Sequence, residues 1–160
     1  MLPALLLPAP ALASAGERAE TVRLLRSRLE EGERALRSSR LDEAETFFRE
    51  ALERAADLNE PNLLLARAVD GLADLHRLRG RHAEAETLYL RSVAMWERLL
   101  GERQPRLATS LHNLGVVLIE QDKTEPAERT LTRALAIWEA TLGADSPEAR
   151  NTRRALRSLR

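Results

Sequence analysis

The chain has 160 residues, with 25 basic and 25 acidic side chains and a formal net charge of zero. That length suits about one domain, and the balance excludes a protein held to nucleic acid or an acidic membrane by bulk charge. No cysteine is present, which excludes disulfides, thiol catalysis and zinc–thiolate sites. Leu, Ala, Arg and Glu dominate, and all four favour helix. Aromatics make up only 3%, which argues against an all-β domain.

The first fifteen residues, MLPALLLPAPALASA, carry no charged side chain. The apolar stretch Leu2–Leu12 is too short to span a bilayer as a helix. It ends in Ala13-Ser14-Ala15, which has the small-x-small form of a signal-peptidase site. Residues 1–15 are therefore expected to be a signal peptide, giving a periplasmic or secreted protein that begins at Gly16. The other reading is a disordered leader on a cytoplasmic chain. No Lys or Arg precedes the apolar run, and Pro3, Pro8 and Pro10 interrupt a helical core of a signal.

Seven helices are predicted, at 17–38, 42–58, 62–79, 83–100, 106–121, 125–142 and 147–159. The first is weakly patterned. Asp42-Glu43-Ala44-Glu45 has the form of a capping box opening the second, which ends near Asn59-Glu60-Pro61 because the residue before proline disfavours helix. Gly80 marks the turn after the third helix, and Gly101 closes the fourth. In the fifth, Leu107, Leu111, Leu114 and Leu118 recur at helical spacing. Asp122-Lys123-Thr124 is a polar break, with Thr124 as the cap of the sixth helix and Pro126 in its first turn. Ala127, Leu131, Ala134, Leu135, Trp138 and Leu142 form its apolar stripe, and Gly143 suits a left-handed C-terminal cap. Ser146-Pro147 opens the seventh helix. Arg150, Arg153, Arg154, Arg157 and Arg160 make that helix the most polar, as a terminal cap on stacked repeats requires. It would alternatively be a basic contact surface.

The helices repeat. Ala85, Glu86, Arg91, Ala94, Trp96, Glu97, Leu100 and Gly101 recur 42 residues later as Ala127, Glu128, Arg133, Ala136, Trp138, Glu139, Leu142 and Gly143. AETFFREAL, residues 44–52, is a third copy, matching AETLYLRSV at 85–93. The repeats cover about 25–60, 66–101 and 108–143, followed by the helix at 147–159, and together they make one domain over 16–160. Leu114-Gly115, Leu118, Ala127, Leu131 and Ala134 carry the pattern in the third repeat. Leu72-Ala73, His76, Ala85, Tyr89 and Ser92 carry it in the second, and Gly32, Ala35, Ala44, Phe48 and Ala51 in the first. This pattern resembles the tetratricopeptide repeat, in the 42-residue variety of kinesin light chains and many bacterial proteins. The resemblance implies an all-α fold: an α-solenoid of antiparallel helix pairs wound as a right-handed superhelix. Small residues at Ala44, Ala85 and Ala127 would let paired helices approach, and Phe48, Tyr89 and Leu131 would fill the space beside them. Glu31 stands where the family usually has a large apolar residue.

No nucleotide, hydrolase or zincin motif occurs, so no catalytic residue, cofactor or metal is expected. His76 and His82 are six apart, a poor spacing for two ligands on one helical face. His76 is expected partly buried between helices, His82 in a turn and His112 on the fifth helix. Glu86/Arg91, Glu45/Arg49 and Glu53/Arg54 read as solvated pairs. Trp96 and Trp138, one repeat apart, read as inter-repeat packing.

The function left open is binding. In arrays of the resembled family, the first helix of each pair lines a concave groove. The repeat register then makes Arg26, Glu30, Glu33, Arg67, Asp70, Asp74, Arg77, Thr109, His112, Asn113, Val116 and Glu120 the groove candidates, unless these are ordinary solvated positions. Asn113 matches an asparagine that related arrays use to bond an extended peptide. The expected function is a noncatalytic scaffold holding a protein or peptide partner, with no nucleic acid, no stable membrane span, and a monomeric or weakly self-associating chain. A self-associating structural or envelope assembly factor is the alternative, and an enzyme accessory subunit a remote one.

Overall fold

The computed structural model describes residues 14–56, 58 and 62–159. The expected leader, apart from Ser14 and Ala15, lies outside these residues, as do Asn59-Glu60-Pro61 and Arg160. The described residues form seven helices and no strand: α1 (Ala15–Arg37), α2 (Leu41–Ala56), α3 (Leu63–Leu78), α4 (His82–Leu100), α5 (Pro105–Glu120), α6 (Thr124–Leu142) and α7 (Pro147–Arg157). They pack as antiparallel pairs α1/α2, α3/α4 and α5/α6, with α7 on α6. The first helices also meet one another, α1 with α3 and α3 with α5, while no comparable contact joins α4 to α6 among the described residues. The molecule is an all-α solenoid, and its inner side is the row of first helices.

The turns inside the three pairs share one geometry. Ser39, Gly80 and Asp122 all have left-handed φ, at 57°, 71° and 58°. Each turn closes with a bond of 2.9 Å, from Arg40 N to Ala35 O, Arg81 N to His76 O and Lys123 N to Leu118 O. This six-to-one bond ends a helix in a Schellman motif. Only Gly80 announces that conformation in the sequence. Gly101 and Gly143 differ from the expected left-handed caps. Their φ values of 84° and 91° combine with extended ψ of 179° and 156°, a region essentially restricted to glycine.

Helix starts follow local chemistry with two corrections. Ser146 caps α7, its hydroxyl accepting from Ala149 N. Asn62 caps α3 by accepting from Leu65 N at 2.8 Å. Thr124 is not a cap: it is the first residue of α6, and Lys123 precedes it without a side-chain capping bond. Asp42 and Glu45 form no capping box either, since both lie inside α2 and turn to Arg79. The capping box lies at α1, where Ser14 and Glu17 bond each other's backbone. That box uses the middle residue of the small-x-small stretch, so cleavage after Ala15 would remove it.

Ala44, Ala85 and Ala127 are fully buried, as are Phe48, Tyr89 and Leu131. Three glycines complete the close approach, Gly32 among them, where a Cβ would lie 2.8 Å from the Phe48 ring. A Cβ on Gly71 would collide with the Phe48 ring, and one on Gly115 would lie 2.5 Å from Leu131 Cγ. Trp96 and Trp138 are buried in the core. Leu142, expected on the apolar stripe, is instead 49% exposed. Glu31 is tolerated in α1 because it pairs with Arg28 at 2.7 Å. No described helix is long and apolar enough to cross a membrane.

Candidate functional site

The first helices bring most of the predicted groove residues together, but they bind one another. Glu33 on α1 accepts from Arg67 on α3 at 2.6 Å. Arg77 on α3 faces Glu120 on α5 at 3.6 Å. His82 Nδ1, at the start of α4 and not in a turn, lies 3.1 Å from Glu120 without hydrogen-bond alignment. Arg26, Glu30 and Thr109 are exposed, and Val116 is partly buried. Arg26 and Glu30 enter no ion pair among the described residues.

Asp70 and Asp74 depart from the expected exposed role. They sit one turn apart on α3 and point into the junction with α4 and α5. Asp70 accepts from Trp96 Nε1 at 2.8 Å, from Ser110 Oγ at 2.8 Å and from Ser92 Oγ. Ser92 and Ser110 lie 3.1 Å apart. Asp74 accepts from Tyr89 OH and from Asn113 Nδ2 at 3.2 Å. Asn113 is therefore engaged with its own fold. Burial raises the pKa of both aspartates, opposed by these hydrogen bonds. The Tyr89 phenol is pushed up by burial and by Asp74.

Sequence reasoning missed this network because its bonds span 15 to 40 residues. The available signal was local: two aspartates, i and i+4, interrupt an α3 face of Ala66, Val69, Leu72 and Ala73, all buried. Buried polar groups require partners, and Ser92 and Ser110 are the small buried polar residues that serve.

The predicted surface pairs also need correction. Glu45 bonds Arg49 but also Arg79, and these bonds hold its pKa down to about 2. Glu86 pairs with Lys123 at 2.6 Å and Gln121 at 2.8 Å, not with Arg91. Both bridge one repeat to the next. Glu53 and Arg54 form no ion pair among the described residues. His76 is partly buried, as expected, and burial lowers its pKa.

At the far end of the row, His112 Nδ1 meets Thr152 Oγ1 of α7 at 2.9 Å. Burial, then the charge of Arg77, lowers the His112 pKa. A cavity of about 280 Å³ opens there, lined by Thr109, His112, Trp138, Glu148 and Asn151.

Two overlapping stretches, residues 23–94 and 64–140, match the profile of the tetratricopeptide repeat. The chain belongs to the tetratricopeptide repeat family. No curated protein matches it. Its fold is similar to the crystal structure of BtubC (BKLC) from P. vanneervenii, with a TM-score of 0.72 and 23% identity over 92% of this chain and 66% of that one. It is also similar to a putative kinesin light chain of Podospora anserina with nearly identical TPR-like repeats. That match has a TM-score of 0.74 and 22% identity, over 84% of this chain and 64% of that one. The chain thus spans just under two thirds of those relatives. Identities this low carry the fold alone. The tetratricopeptide repeat fold is in general a scaffold for protein–protein interaction.

Proposed function

We propose that this repeat array is a noncatalytic scaffold that binds an extended polypeptide along the row of first helices. The supporting observation is a surplus of donors on α3. Arg67 holds Glu33, and Arg77 lies close to both Glu120 and Asp74, yet the Nε of each is buried without a hydrogen-bond partner. Buried donors left unpaired are uncommon and call for an explanation. Peptide carbonyls and acidic side chains supply acceptors for such guanidinium groups.

The two arginines are ten residues apart, or about 15 Å along the helix axis. An extended chain spans that distance in about five residues. Both side chains are already oriented by carboxylates of neighbouring helices, so little ordering entropy opposes binding. The test is a double variant, Arg67→Ala with Arg77→Ala, and its affinity for a partner recovered by crosslinking from the native cell. Loss of about tenfold or more in affinity, with helical content kept, is expected. Unchanged affinity with intact fold would reject the proposal.

A further inference from the structure

The second and third repeats share one position that is closed in the third and open in the second. In the third, Leu107 at the start of α5 and Ile137 on α6 are buried. Arg133, one turn before Ile137, is held by Glu97 of α4 at 2.5 Å. Forty-two residues earlier, Leu65, Met95 and Arg91 take the places of Leu107, Ile137 and Arg133. Leu65 and Met95 are only partly buried, and Arg91 is exposed. At the offset of 41 that aligns the first repeat with the second, the place of Glu97 holds alanine, residue 56. The carboxylate that holds Arg133 therefore has no counterpart for Arg91. A cavity of about 370 Å³ stands there, lined by Leu65, Arg91, Ala94, Met95 and Arg98.

The lining has a single chemical character. Leu65, Ala94 and Met95 are apolar, Arg91 and Arg98 are cations, and no acidic side chain is among the described residues that line the cavity. The arginines are seven residues apart, two turns along one face of α4, with Ala94 and Met95 between them. Arg98 is particular to this repeat, since its counterpart is Ala140. Neither arginine enters an ion pair among the described residues. An apolar body laid over Leu65 and Met95 gains by leaving water. An anionic head takes charge-assisted hydrogen bonds from a guanidinium group. A cationic head would meet two like charges, and an uncharged body would leave both arginines without an anion. The volume falls in the range of small-molecule sites, about 300–1,000 Å³.

We infer that the α3–α4 cavity binds a small amphiphilic anion, an apolar chain bearing one carboxylate or phosphate head. The ligand gives Arg91 what Glu97 gives Arg133. Its chain covers the leucine and methionine whose counterparts are buried in the third repeat. The site lies on a second helix and the first turns of α3, and it does not depend on the inner face.

The methyl group of Met95 is the probe, labelled with carbon-13 in the full chain, which has one other methionine, Met1. The ligands are decanoate and decyl phosphate, each below its micelle concentration. Decanol, decyltrimethylammonium, acetate and a blocked tripeptide with a central glutamate are the controls. The Met95 signal is expected to move saturably with decanoate or decyl phosphate, and the tighter of the two names the head. Arg91→Gln with Arg98→Gln, both at exposed positions, should weaken that binding about three- to tenfold with helical content kept. Ala94→Glu, which places a tethered carboxylate between the two arginines, should weaken it further. No saturable movement with either anion, or equal movement with decanol or decyltrimethylammonium, would overturn the assignment. So would indifference to the double arginine variant. Tighter binding of the glutamate peptide than of both alkyl anions would overturn the small-molecule source.

Discussion

Replacing Asp70 with alanine removes one acceptor and affects three helices. Trp96 Nε1–H, now bonded at 2.8 Å, would be stranded in a buried site. Ser92 and Ser110 would keep their mutual contact at 3.1 Å, and Ser110 also reaches the Arg106 carbonyl at 3.4 Å, so the hydroxyls lose less. A stranded buried donor costs about 1–3 kcal/mol, and the weakened hydroxyls add about 1 more. Relief of a partly desolvated carboxylate offsets about 1 kcal/mol of this. The net loss is about 1–3 kcal/mol, or about 2–12 °C in Tm for a chain of this size. Asp70→Asn keeps an acceptor for the indole and should lose under about 1 kcal/mol. Circular-dichroism melting, with Trp96 emission as the local probe, measures both. An alanine variant melting within about 1 °C of the parent would refute the reasoning.

Gly115→Ala should destabilise by about 1–3 kcal/mol, because the new Cβ meets Leu131 Cγ at 2.5 Å; urea unfolding reads this. Ala127→Arg, at a fully buried position, should abolish the cooperative melt by overpacking and by burying a charge. An unchanged melting curve would refute the packing assignment. Asp122→Gly relieves a left-handed φ of 58° and should gain up to about 1 kcal/mol, net of the added freedom of the unfolded chain. Opposing slopes of the stability profile should respond to different carboxylates. Glu45, held down to about 2 by Arg79 and Arg49, contributes stability above its unfolded value that is lost as pH falls toward 2. Asp70 and Asp74, raised by burial, contribute most below the unfolded aspartate value, and that contribution is lost as pH rises through their folded values. Glu45→Gln should therefore flatten the acid limb, and Asp70→Asn the opposing slope, in urea midpoints measured across pH.

The helices were legible because each carries its own punctuation. Ser146-Pro147 and the spacing of Leu107, Leu111, Leu114 and Leu118 are local signals, and those helices lie where the pattern places them to within a residue or two. Ser39 and Asp122 were not legible as turns of one type, because nothing in either side chain requires the left-handed conformation that the Schellman bonds impose. The inner face was legible as a register and not as chemistry. Repeat spacing located Asp70, Asp74 and Asn113 on the first helices, but exposure depends on partners 15 to 40 residues away. Arg67 and Arg77 show the same: the register placed them on the groove face, but their pairing with Glu33 and Glu120 is visible only once the neighbouring helices are in place.

Site-specific photocrosslinking tests the central claim most directly. A photoreactive residue would be placed at Arg26 or Thr109, both exposed on first helices, and at Leu90 or Thr132, both exposed on second helices. Polypeptide adducts in the native cell are expected at Arg26 and Thr109 and not at Leu90 or Thr132. Adducts confined to Leu90 and Thr132, or equal at all four positions, would contradict an inner binding face.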